Sequence, residues 1–79
     1  MPALYADVAL PIPLHRTFTY AVPEEFRPRL TVGMRVLVPF GRTTQTGVVT
    51  GFLDRSNVPG IKPIRDVLDV VPTFAADLL

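Results

Sequence analysis

The chain has 79 residues with no cysteine, and eight cations against seven acids give a net charge of +1. That length fits one domain, and the absence of cysteine excludes disulfide staples and thiolate metal sites while being compatible with a reducing cytoplasm. The near-neutral balance excludes broad electrostatic attraction to nucleic acid, so any such binding has to happen at a local site.

Hydrophobic residues make up 48% of the chain, enough for a real core and against disorder. No apolar run approaches the length of a membrane span, and no basic segment with an apolar core marks a signal peptide. Residues 3–10 read as a first strand, with Leu4, Ala6, Val8 and Leu10 on one face and Tyr5, Asp7 and Ala9 on the other. Pro11 and Pro13 lack amide hydrogens, so the segment they bracket should be extended and lie outside any central ladder. Residues 17–22 form a second strand in which Phe18, Tyr20 and Val22 alternate with Thr17, Thr19 and Ala21, and Pro23 ends it. After Pro23, acids at Glu24 and Glu25 suit one short helical turn, which Pro28 limits.

The central stretch is a hairpin. Gly33 opens a strand whose Met34, Val36, Val38 and Phe40 share a face, with Arg35 and Leu37 opposite. Residues 41–45 (Gly-Arg-Thr-Thr-Gln) read as a polar loop, and residues 46–53 as the returning β-branched and aromatic strand. Residues 54–60 form a turn-rich loop containing Pro59-Gly60. Residues 64–71 are the last strand candidate, with Ile64, Leu68 and Val70 on one face and Arg65, Val67 and Asp69 on the other, although Asp66 interrupts the apolar pattern. From Pro72 a helix begins and stops after barely two turns, which suggests the start of a linker to a following domain. The expected fold is mainly β: a small, partly open β-barrel or sandwich of about five short strands over residues 1–72, with a helix start at 73–79.

The chemistry-bearing residues are few. His15 is the single histidine, Ser56 sits among turn residues, and nothing places them with an acid as a nucleophilic triad. No glycine-rich loop leads into Lys-Ser or Lys-Thr. No catalytic residue, metal ligand or cofactor site is expected. What remains is a set of parts that suit a nucleotide: rings at Phe18 and Tyr20 that can stack on a base, a bare backbone at Gly41 with Arg42 beside it, and Lys62 in a proline-bounded segment. Each has a plainer use as well. Phe18 and Tyr20 can be core, Gly41 a turn residue, and Lys62 a solvated side chain.

In order and spacing, several runs resemble the N-terminal domain of the primosomal replication-restart helicases, the PriA family. They are Val8-Ala9-Leu10-Pro11-Ile12-Pro13-Leu14, Arg16 to Tyr20, Gly33 to Arg42, Gly47-Val48-Val49, Ile61 to Ile64 and Val67-Leu68-Asp69. The resemblance implies a module, carried by a cytoplasmic helicase, that recognises the 3′-hydroxyl end of a nascent leading strand at a stalled replication fork. It implies that Phe18, Thr19, Tyr20, Gly41 and Lys62 bind the terminal nucleotide; Arg42 is a candidate phosphate contact from its place beside Gly41 and not from the resemblance. The implied partners are DNA with a free 3′ end and the other domains of the parent helicase; ATP hydrolysis and zinc belong to parts absent from these residues. The family commonly carries Asp where this chain has Thr19, which exchanges two carboxylate acceptors for one hydroxyl. The alternative class is a protein-interaction or interdomain structural barrel with no nucleic-acid role.

Overall fold

The computed structural model describes residues 4–13, 16–55 and 60–69. The helix start expected at 73–79, His15 and Ser56 lie outside the described residues. Within them, the chain forms five strands: β1 (Tyr5–Ala9), β2 (Thr17–Ala21), β3 (Arg35–Phe40), β4 (Thr43–Leu53) and β5 (Asp66–Val67), with a 3₁₀ turn at Glu24–Phe26. They pair antiparallel in one sheet of order β2-β1-β4-β3-β5, so the architecture is mainly β and not closed. The alternation read from the sequence sets the core. Ala6, Val8, Leu10, Tyr20, Val22, Met34, Val36 and Val38 are all buried, joined by Phe26, Leu30, Val49 and Ile64.

The sheet curls strongly. β2 and β3 are three strand positions apart, which would separate them by roughly 14 Å in a flat sheet. Yet the Tyr20 hydroxyl donates to the Pro39 carbonyl at 2.8 Å, and the Phe18 and Phe40 rings meet edge to face with centroids 5.1 Å apart. The segment before β5 ties the two edges together. Ala21 N–H donates to Lys62 O, and Ile64 N–H donates to Ala21 O, each at 2.9 Å. One residue later Arg65 N–H donates to Leu37 O at 2.8 Å. The chain thus crosses from the β2 edge to the β3 edge within a few residues.

Two expectations change. The polar loop at 41–45 is a two-residue turn, Gly41-Arg42, and β4 begins at Thr43 opposite Phe40. Gly41 takes the left-handed conformation (φ 61) that lets the turn be so tight, and the β-branched threonines after it suit a strand as well as a loop. The last strand shrinks to Asp66–Val67, and its alternation breaks where the chain changes partner. Ile64 is buried, but Val67 packs against the core and Leu68 is 41% exposed. Pro11 and Pro13 follow β1 outside the ladder, as their missing amides require.

Candidate nucleic-acid interface

The curl creates the site. Where the ends of β2 and β3 approach each other, and the crossing segment passes beside them, the sheet leaves a cavity of about 260 Å³. Phe18, Thr19, Tyr20, Gly41 and Lys62 all line it. Sequence reasoning drew these five from three separate stretches of the chain. The structure brings them to one hollow. Arg42 is not among its lining residues; it faces a second, adjoining cavity instead.

The residues differ in how much they offer a ligand. Tyr20 is 5% exposed, and its hydroxyl is already bonded to Pro39, so it forms wall rather than a free stacking face. Burial pushes its phenol above the ordinary value of 10.0. Phe18 is half-buried, with Phe40 against it and the Arg16 guanidinium 4.6 Å from its ring centroid. Lys62 is exposed, and no carboxylate partners it among the described residues. Its backbone carbonyl is held by Ala21, which fixes where the ammonium stem starts. At Gly41 an added Cβ would meet no atom within 4 Å, so the space beside the turn is open.

The β2 edge supplies main-chain groups. In an antiparallel ladder, amide and carbonyl of alternate residues point to opposite sides. Ala21 directs both towards the crossing segment, while Val22 N–H donates to Leu4 O at 2.8 Å. Thr19 and Thr17 share the parity of Ala21, so their backbone N–H and C=O groups turn away from β1 towards the cavity edge. The Thr19 side chain does something different. It stands directly opposite Asp7 in the register, and its hydroxyl donates to Asp7 Oδ1 at 2.9 Å. With its proton held there, the hydroxyl oxygen has only acceptor capacity left.

Comparison with known proteins places the chain in a family. The family model for the PriA 3′DNA-binding domain (3′BD) matches residues 7–79. The replication restart protein PriA of Haemophilus influenzae is 45% identical over 69 residues, covering 85% of this chain and 9% of that protein. The PriA protein of Bacillus subtilis is 34% identical over 84% of this chain and 8% of its own length. That of Buchnera aphidicola is 38% identical over 91% and 10%.

The chain belongs to the PriA 3′DNA-binding domain family.

It is a DNA-binding module of PriA type, and it spans about a tenth of the length of the relatives it matches. Several residues that shape the cavity of this PriA 3′DNA-binding domain escaped sequence reasoning: Arg16, Thr17, Pro39, Phe40, Gly60 and Ile61. A signal existed for Arg16, which continues the alternating face of Phe18 and Tyr20. For Phe40 there was none, because a one-dimensional pattern cannot tell that β3 curls round to meet β2. Among the described residues no cluster of acids or histidines could hold a metal ion, and no helix is long and apolar enough to cross a membrane.

Proposed function

We propose that this cavity takes the 3′-terminal nucleotide of a DNA strand and senses its free 3′ hydroxyl. The wider reading is that the domain marks the end of a nascent leading strand at a stalled replication fork, in the cytoplasm, as part of a longer restart helicase. The chain itself then binds and does no catalysis. One observation carries this reading: Phe18, Thr19, Tyr20, Gly41 and Lys62, far apart in sequence, line one hollow of about 260 Å³. Such a volume, with rings on one wall and a cation on another, suits one nucleotide and not a duplex.

Each part has a task in this reading. Phe18 and Phe40 give the base an apolar wall. The outward amide and carbonyl of Thr19 offer a donor and an acceptor side by side, and every base edge carries an adjacent acceptor and donor. Gly41 lets the sugar approach the backbone, and Lys62 meets the phosphate. Thr19 in place of the family's common Asp then costs little, because the main chain at that position is unchanged.

The test is fluorescence anisotropy of a labelled oligonucleotide ending in a 3′ hydroxyl against the same strand ending in a 3′ phosphate. The reading expects the hydroxyl strand to bind and the phosphate strand to bind far more weakly. Equal binding of both would refute it. A second reading, an interdomain packing role, draws on the apolar side chains that β4 leaves exposed at Val48, Phe52 and Leu53. Contact with other domains of the parent helicase is compatible with both readings, but under packing alone Lys62→Ala would leave every binding property of the chain unchanged.

A further inference from the structure

The second cavity, about 450 Å³, adjoins the first and shares Pro39, Gly41 and Lys62 with it. Its remaining wall comes from the turn of the β3–β4 hairpin and the first residues of β4, including Arg42 and Thr44, and from the crossing segment, including Arg65. Its chemistry contrasts with the first. Among the described residues that line it there is no aromatic ring, and three are cations with no acid beside them.

That imbalance is local. The chain as a whole carries only +1. The ion pairs formed among the described residues are Arg35 with Asp69 and Arg55 with Asp54, neither of them here. Arg42, Lys62 and Arg65 are all exposed and all lack a carboxylate partner among the described residues. The acid beside them in the chain, Asp66, uses Oδ1 to accept the Val67 N–H at 2.8 Å. Three unpaired cations around a ringless groove form a site for anions, and two of them are arginines, whose planar forks match phosphate oxygens.

We propose that the second cavity holds the phosphodiesters of the nucleotides that precede the terminal one. This rests on the reading that the first cavity takes the 3′-terminal nucleotide. Lys62, on the shared wall, stands at the junction, and the strand leaves over Arg42 and Arg65. A groove with cations and no rings contacts the backbone and not the bases, so it adds affinity without adding sequence preference. It also gives a domain of near-zero net charge a short electrostatic track beside the end-binding pocket.

The experiment measures the full 79-residue chain against thymidine 5′-monophosphate and tetrathymidylate with a free 3′ hydroxyl, at several salt concentrations. Tetrathymidylate blocked by a 3′ phosphate is the control, and Arg42→Ala/Arg65→Ala is the test variant. Both arginines are exposed, so the fold should hold; thermal unfolding checks that, and Arg42→Glu serves as a second variant. At low salt the tetramer should bind roughly tenfold tighter than the monophosphate, the scale of two solvent-screened charge contacts. The double variant should lose that gain, keep its monophosphate affinity, and show a salt slope shallower by roughly 0.7 for each phosphate contact removed. If the tetramer gains nothing over the monophosphate, or the gain survives in both variants, the groove has no such role, while discrimination against the blocked tetramer would leave the end-binding reading standing. Should the blocked tetramer bind as well as the free one, the end-binding reading falls and this proposal falls with it, and an arginine-dependent length gain would then mark the groove as a backbone contact without reference to a strand end. No binding of any of them removes both.

Discussion

The β1–β4 centre of the sheet and the β2–β3 seam are built from similar residues and end in different states. At the centre, Ala6, Val8 and Val49 are 0%, 0% and 1% exposed. There Gly47 lies so close to β1 that an added Cβ would run into Val8 Cγ1, the Ala9 carbonyl and Leu10 Cδ2. At the seam, Phe18 and Phe40 reach only partial burial, and the turn glycine opens on free space. The two strands at the centre are hydrogen-bonded neighbours, whereas among the described residues β2 and β3 meet through side-chain contacts and the crossing segment rather than through a ladder. A sheet that curls without closing buries its middle and leaves a hollow where its far strands approach. The difference between core and site is therefore one of closure, not of composition.

That contrast can be broken from either side. The largest effect on stability is expected from Gly47→Ala, where overpacking should cost up to about 3 kcal/mol. The cost falls on a small domain with little margin. Urea unfolding would register it as a lower midpoint, and an unchanged midpoint would mean that β1 and β4 are not as tightly apposed as described. Tyr20→Phe comes next. It leaves the buried Pro39 carbonyl without its donor and should cost roughly 1–2 kcal/mol, while opening the seam.

The same tyrosine sets a pH dependence. Its phenol is held above 10.0 in the folded state by burial. Above about pH 10 the unfolded chain releases a proton that the folded chain keeps, so stability falls as pH rises through that range. The stability gap between wild type and Tyr20→Phe should accordingly narrow in alkali; a gap independent of pH up to 11 would contradict the buried phenol. The smallest effect on folding belongs to Lys62→Ala, an exposed side chain whose loss should move stability by less than about 0.5 kcal/mol. Its binding to a strand with a free 3′ end should nonetheless weaken severalfold, and full retention would remove the ammonium from the proposed site.

Much of this was legible in the chain. Strict alternation identified the buried faces of β1, β2 and β3, since side chains on a strand point to opposite sides. The residues themselves pointed to Phe18, Tyr20, Gly41 and Lys62, and the runs that resemble the PriA family added Thr19; all five are among the residues that line the first cavity, whereas Arg42 is not. What was not legible depends on the third dimension. Nothing in the spacing of Phe40 says that its strand curls towards Phe18. Nothing around Asp7 and Thr19 announces that they face each other, because register is fixed by pairing rather than by sequence distance. The threonines at 43 and 44 read as loop because they are polar and follow a glycine, but their β-branched side chains pair in β4. The crossing at residues 62–65 shifts the phase of the last strand, and a pattern extrapolated through it puts Leu68 inside and Val67 outside, the reverse of what is found.

The most direct test of the account is an amide chemical-shift titration of the chain with a dinucleotide carrying a free 3′ hydroxyl. The account predicts saturable shifts concentrated at Thr17, Thr19, Gly41 and Lys62, with the β1–β4 centre around Val8, Gly47 and Val49 unmoved, and no such response to the 3′-phosphorylated dinucleotide. Shifts scattered over the outer face of the sheet, or the same response to both dinucleotides, would contradict it.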